Sequence, residues 1–141
     1  MHEINQITGT IVNVAYDVHG KLGPGLVEKV YETVLERALL QKGLRVERQK
    51  PISFEFDGMR FDDAFCVDLL VEDQVVVELK SVEKISPLHQ KQLLTYLRLL
   101  NLPVGLLINF GSASLNQGVQ RIANAHAESA REVLTPRRES A

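Results

Sequence analysis

Three charged residues in the middle of the chain have the types and the spacing of a metal-assisted hydrolytic site. Glu78 and Lys80 stand two apart in the apolar run 75–80, which predicts a strand. Because side chains two apart in a strand point to the same side, this acid and this base share one face. If the polar turn before the run is centred on Asp73, Asp68 lies directly opposite Glu78 on that face, whereas a slip of one residue would move it to the other face.

Two carboxylates placed in this way need a positive partner. Like charges directly opposite in a sheet are destabilising, and burying them among valines costs more unless a cation or a proton intervenes. Lys80 offsets one negative charge and leaves the other. A hard divalent cation binds oxygens of both Asp68 and Glu78 and keeps several waters, so the pattern predicts Mg²⁺ or Mn²⁺. The alternative is a surface β-hairpin with ordinary cross-strand ion pairs.

Further polar groups fall on the helices predicted beside these strands. Glu28, at the margin of the inward face of one helix, offers a third carboxylate, and Tyr31 lies one turn further on. Gln92 and Tyr96, four residues apart on a later helix, are spaced to position a phosphate or a water together. Each has a structural alternative, because helix-edge glutamates are commonly solvated and buried tyrosines are commonly core residues.

Two helices open the chain. Apolar residues at three- and four-residue spacing predict a helix over 4–22, ended by Gly23-Pro24-Gly25, and a second over 26–42. The inward face of the second helix is predicted to hold Val27, Val30, Tyr31, Val34, Leu35, Ala38 and Leu39.

Extended chain then predicts a sheet. Asp57-Gly58 is a two-residue hairpin signal between the segments 52–56 and 59–61. The runs 64–71 and 75–80 predict two further strands, apolar and rich in β-branched residues.

The last third of the chain predicts a helix and a central strand. Ser86-Pro87 is a helix start, and the helix continues to about Leu100. The apolar run 104–110 predicts a buried strand, whereas 119–123 is ambiguous between strand and helix. We expect one domain over 1–125 and a loosely attached helix or disordered tail over 126–141.

Composition favours a globular protein and limits how it binds nucleic acid. Hydrophobic residues make up 45% and charged residues 24% of 141 residues, which is typical of one compact domain. A formal net charge of -2 argues against coating DNA by bulk electrostatics, so any nucleic-acid contact must be local. The polar start of the chain predicts no signal peptide or membrane segment there, and hence a cytoplasmic protein.

The motifs together resemble a known superfamily. Asp68 followed by Glu78-Leu79-Lys80 resembles the D…(D/E)-x-K core of the PD-(D/E)XK nucleases, although Val67 stands where the superfamily name has proline. The segment from Gly25 to Tyr31 is similar to the pattern of the GxxExxY family, and the segment 92–96 resembles the Q-x-x-x-Y motif of related exonucleases. The resemblance covers roughly residues 4–123.

This resemblance implies an α/β, restriction-endonuclease-like fold: a mixed β-sheet flanked by helices, with an α-β-β-β-α-β core and an extra N-terminal helix. It implies metal ligands at Asp68, Glu78, the carbonyl of Leu79 and Glu28. It also implies that Lys80 orients or deprotonates the attacking water. Gln92, Tyr96 and Tyr31 are then the candidate substrate-positioning residues.

Three functions stay open at this point. The first is a divalent-metal-dependent nuclease that hydrolyses phosphodiester bonds in DNA or RNA. The second is a non-catalytic module that keeps the fold and binds nucleic acid or protein. The third is metal-dependent hydrolysis of a small phosphorylated substrate. A homodimer would widen the binding surface of so small a nuclease, but the sequence identifies no interface.

Overall fold

The computed structural model describes residues 3–125. Three longer helices, five strands and a short 3-10 turn follow one another in this part of the chain. In chain order they are α1 (Ile4–Leu22), α2 (Glu28–Gln41), β1 (Val46–Phe56), β2 (Met59–Val71), β3 (Val75–Lys80), α3 (Pro87–Leu100), β4 (Val104–Asn109), the 3-10 turn (Leu115–Gln117) and β5 (Val119–Ala123).

The strands form one mixed sheet in the order β1-β2-β3-β4-β5. β3 and β4 are parallel, as the crossover through α3 requires, and the other neighbours are antiparallel. The predicted α/β fold and its α-β-β-β-α-β core are confirmed. The ambiguous segment 119–123 is a strand that pairs with β4.

Helices cover both faces of the sheet, which explains the uninterrupted apolar runs of its inner strands. α1 and α2 pack on one face, against a cluster that contains Val75, Val77 and Leu79 of β3. α3 packs on the other face, where Leu93 and Leu97 meet a second cluster. Glu78 and Lys80 alternate with the first set and therefore point toward the α3 side.

The inward face of α2 differs from its prediction. Tyr31, Leu35 and Leu39 are buried as expected, but Val27, Val30 and Val34 are exposed by 69%, 38% and 37%. Glu32 is buried in the same helix. The face that packs on the sheet is therefore rotated toward Glu32 and away from the three valines.

Two turns set the register of the strands. Asp57 and Gly58 have φ values of 54° and 76°, which suit the tight hairpin between β1 and β2. Beyond it, the predicted segments 59–61 and 64–71 form one continuous strand. In the next turn Val71 pairs with Val75, so the turn is centred on Asp73 as predicted.

The helix ends follow their sequence signals. α3 has Pro87 in its first turn, and the backbone N–H of Ser86 donates to Nδ1 of His89 at 3.2 Å. α1 ends at Gly23, whose φ is 77°. In residues 3–125, no helix combines the length and the apolar character needed to cross a bilayer. The tail predicted at 126–141 lies outside the described residues.

Candidate active site

Gln49, Asp68 and Glu78 lie in a row across three neighbouring strands. The β1–β2 register places Gln49 beside Asp68. Continuing the β2–β3 register one step past its last pair, Leu69 with Val77, places Asp68 opposite Glu78. The register that the sequence predicts for the two carboxylates is therefore confirmed.

The carboxylates of Asp68 and Glu78 are interlocked with the backbone of the facing strand. The backbone N–H of Asp68 donates to Oε2 of Glu78 at 2.8 Å, and the N–H of Leu79 donates to Oδ2 of Asp68 at 2.8 Å. These bonds follow directly after the last β2–β3 ladder pair. Side-chain oxygens thus continue the pairing where the ladder ends, and they hold both carboxylates in place.

Glu78 is buried with a like charge beside it. Its exposure is 7%, and within residues 3–125 it forms no ion pair. Burial, and then the neighbouring Asp68 carboxylate, raise the pKa of Glu78 to about 8, against the lowering effects of the Asp68 N–H and of Lys80. Without a cation, Glu78 therefore keeps its proton near neutral pH.

A third carboxylate reaches this row from α2, and it belongs to Glu32. Nε2 of Gln49 donates to Oε1 of Glu32 at 2.9 Å and to Oδ1 of Asp68 at 3.1 Å. Arg48 lies 3.6 Å from Oε2 of Glu32. Burial raises the pKa of Glu32, the Gln49 hydrogen bond lowers it, and the Asp68 charge raises it further.

Glu28, the helix glutamate expected at the centre, is the exposed first residue of α2. Within residues 3–125 it has no hydrogen bond or ion pair to Asp68 or Glu78. Glu32 lies one helical turn further on, so the same helix face delivers a different glutamate. Its spacing of three residues from Leu35 was the sequence signal that could have identified it.

Lys80 shares the face of Glu78, as expected from the strand alternation. It is half-buried at the end of β3 and near enough to Glu78 to lower the pKa of that carboxyl. Leu79, between them, uses its N–H to hold Asp68. The metal-ligand role of the Leu79 carbonyl stays a prediction.

The two candidate residues on α3, Tyr96 and Gln92, differ in their burial. Tyr96 is half-buried and stacks on Phe65 with ring centroids 4.1 Å apart and planes at 10°. Burial raises the pKa of the Tyr96 phenol first, and the nearby charges of Glu78 and Asp68 raise it further. Gln92 is exposed one turn earlier.

Tyr31 has a structural environment. It is fully buried and stacks on Phe110 with ring centroids 4.4 Å apart. Its hydroxyl donates to the carbonyl of Gly23 at 2.5 Å and accepts from the N–H of Leu26 at 3.1 Å. Tyr31 therefore closes the loop between α1 and α2, and its hydroxyl is already engaged.

The donor set suits a hard divalent cation with few protein ligands. In the part of the chain that the structure describes, no three His, Cys, Asp or Glu side chains form a ready metal cluster. Mg²⁺, however, usually takes one or two carboxylates and fills its remaining positions with water. Asp68 and Glu78 could supply such a pair, and a cation held by both would offset the repulsion between them.

Comparison with known families agrees with this geometry. The sequence model of the PD-(D/E)XK nuclease superfamily matches residues 5–122, which is most of the chain. The chain belongs to the PD-(D/E)XK nuclease superfamily. Searches of curated proteins and of solved structures gave no significant match. The superfamily indicates a nuclease-type function with nucleic acid as substrate, and its nucleases generally use divalent metals.

That Asp68 and Glu78-Leu79-Lys80 are the D…(D/E)-x-K core of this superfamily stays a prediction. Membership in the GxxExxY family stays a prediction. Sequence reasoning missed Gln49 as well as Glu32. No sequence signal marks Gln49, because its position depends on a left-handed backbone, φ 51°, inside a strand.

Proposed function

We propose that this protein is a divalent-metal-dependent nuclease that hydrolyses phosphodiester bonds in DNA or RNA. One observation supports the proposal most: backbone N–H groups hold the carboxylates of Asp68 and Glu78 at 2.8 Å, and Glu78 is buried beside Asp68 and Lys80. Burying a carboxylate beside a like charge destabilises a fold unless a proton or a ligand compensates for it.

Asp68, Glu78 and the carbonyl of Leu79 would hold Mg²⁺ or Mn²⁺, with a helix carboxylate nearby. Glu28 was expected to supply that carboxylate, and Glu32 is the better placed of the two. When bound, the ion polarises a phosphodiester and lowers the pKa of a water molecule. The protein's own part is to hold the two carboxylates rigidly through the N–H groups of Asp68 and Leu79.

Lys80 and Tyr96 complete the centre from the same side of the sheet. Lys80 supplies the cationic group that orients the attacking water or stabilises charge developing on phosphorus. Tyr96, kept protonated by its raised pKa, offers a hydroxyl that donates to a phosphate oxygen. Gln92, exposed one turn before it on α3, would contact the nucleic-acid backbone.

The test is cleavage of single- and double-stranded DNA and RNA with Mg²⁺ or Mn²⁺. Wild type is compared with Lys80→Met, which keeps the aliphatic stem and removes the charge. The matched control is Lys42→Met, the same change at the C-terminal end of α2. We expect activity in wild type and in the control and its loss in Lys80→Met. Equal activity in all three proteins would contradict the proposed centre.

A non-catalytic module that binds nucleic acid or protein is the second candidate. Two observations favour it: the net charge of -2, and the lack of a three-residue metal cluster within residues 3–125. Titration calorimetry with Mn²⁺ separates the two candidates. No heat of binding together with no cleavage of the panel would favour the module.

A further inference from the structure

Gln49 has a backbone conformation that is unusual inside a strand. Its φ of 51° lies in the left-handed region, which non-glycine residues rarely adopt. In a regular strand, neighbouring side chains point to opposite faces. Here Arg48 and Gln49 both reach Glu32 of α2, at 3.6 Å and 2.9 Å. The left-handed residue thus turns two consecutive side chains toward one carboxylate.

The amide of Gln49 then joins two carboxylates that come from different elements. Nε2 lies 2.9 Å from Oε1 of Glu32 on α2 and 3.1 Å from Oδ1 of Asp68 on β2. A carboxylate only accepts hydrogen bonds, and an amide nitrogen has two hydrogens to donate. Both donors of Gln49 are therefore used between these two residues.

A cation that bridged Glu32 and Asp68 would bind the same two oxygens, Oε1 of Glu32 and Oδ1 of Asp68. The Gln49 nitrogen occupies the point between them, and Arg48 supplies the positive charge behind Glu32. Among residues 3–125, no side chain donates a hydrogen bond on the Asp68–Glu78 side of the row: there the two carboxylates accept hydrogen bonds from backbone N–H groups of β2 and β3. A side-chain amide thus separates Asp68 from Glu32, whereas only backbone N–H groups hold Asp68 beside Glu78.

We propose that the Gln49 amide takes the place of a second cation between Glu32 and Asp68, so that the centre binds one divalent ion, at Asp68 and Glu78. Gln49 is then a positioning residue, acting on the centre through Asp68. The inference rests on the proposed metal-dependent function and specifies how many ions that function uses.

The test is the number of Mn²⁺ ions bound per full-length chain, measured by electron paramagnetic resonance and by calorimetry. Wild type is expected to bind one ion. Gln49→Gly is expected to bind two, because glycine adopts the left-handed backbone freely while removing the amide. Adding Glu32→Gln to Gln49→Gly should return the number to one. Gln41→Ala, remote on α2, is the control and should match wild type.

A second variant guards against an effect on folding. Gln49→Asn also tolerates the left-handed backbone, but its amide is one methylene shorter and cannot span both carboxylates. It should likewise bind two ions, with a circular dichroism spectrum like that of wild type. Two ions or none in wild type, or one ion in both Gln49 variants, would overturn the assignment.

Cleavage measured on the same preparations separates this inference from the proposed function. One ion in wild type and two in Gln49→Gly, with no cleavage by either, would leave the role of Gln49 standing and reject the nuclease. Cleavage by a wild type that binds two ions would reject the role of Gln49 and leave the nuclease standing.

Discussion

Glu72 and Glu78 lie at opposite ends of the β2–β3 hairpin and are equally buried, at 7% exposure each. Glu72, in the turn, accepts the backbone N–H of Arg45 at 2.7 Å and lies 3.6 Å from the Arg45 guanidinium. Glu78, at the open end, faces Asp68 instead. One buried glutamate has a cation beside it, and the other has a second carboxylate.

On the proposed function, this difference separates a structural acid, Glu72, from an acid of the active site, Glu78. A buried charge that is paired and hydrogen-bonded has its desolvation offset inside the fold. For a buried charge beside a like charge, only a proton or a ligand from outside the fold offsets the cost of desolvation. Burial and the Asp68 charge raise the pKa of Glu78, which favours a proton as its compensation when no metal is bound. Variants at the two ends of the hairpin can test this interpretation.

The largest expected effect is on activity. Glu78→Gln should lower the cleavage rate by about a thousandfold, the scale of losing a centre that stabilises transition-state charge. Glu72→Gln, the matched change at the other end, should stay within a few-fold of wild type. Both rates are measured with saturating Mg²⁺. A similar loss in both variants would mean that burial alone, and not the Asp68–Glu78 pair, explains the effect.

The next effect is the pH dependence of stability without metal. The pKa of Glu78 is about 8 in the folded protein, above its ordinary value of 4.5, so the folded state binds this proton more tightly. The stability that this proton contributes is fully present below pH 4.5 and is lost as the pH rises through about 8. The slope approaches about 1.4 kcal/mol per pH unit for one proton.

Urea unfolding in EDTA between pH 4.5 and 9 measures this slope. Glu78→Gln should flatten it, because an amide does not titrate. Stability of the wild type that rises over the same range would contradict the proton assigned to Glu78.

The β2–β3 hairpin was predictable from the sequence because local chemistry determines its register. A polar turn centred on Asp73 and strict alternation in the strand leave one pairing that buries the valines. Asp68 and Glu78 followed from that pairing, and so did the shared face of Lys80. The α/β order followed from the changes in periodicity and from the start of α3 at Ser86-Pro87.

The third carboxylate was not predictable in the same way. A helical projection gives the direction of a side chain around the helix axis, but not which part of the sheet lies beside it. Glu28 and Glu32, four residues apart, point in nearly the same direction, so the projection does not distinguish them. The exposed Val27, Val30 and Val34 show that the helix is also rotated from the face that maximises apolar burial. Gln49 depends on a left-handed backbone that tertiary contacts select, so no local pattern reveals it.

The comparison also predicts a smaller effect on stability. Glu72→Gln should destabilise the protein by about 1–3 kcal/mol, because it removes the charge-assisted hydrogen bond that the buried carboxylate accepts from the Arg45 N–H and weakens its contact with the exposed Arg45 guanidinium. Glu78→Gln should be neutral or stabilising without metal above pH 8, since it removes a desolvated charge. Urea midpoints at pH 8.5 in EDTA compare the two variants. Equal destabilisation would remove the distinction between the two glutamates.

The smallest effect concerns Tyr96, whose ring and hydroxyl have separable roles. Tyr96→Phe keeps the stack on Phe65, so stability should change by less than about 0.5 kcal/mol, as for a partly exposed side chain. If the hydroxyl donates to a substrate phosphate, kcat/KM should fall by about tenfold, the scale of one hydrogen bond. Phe65→Leu, which removes the stack and keeps the hydroxyl, is the complementary variant. An unchanged kcat/KM in Tyr96→Phe would restrict Tyr96 to packing beside the carboxylates.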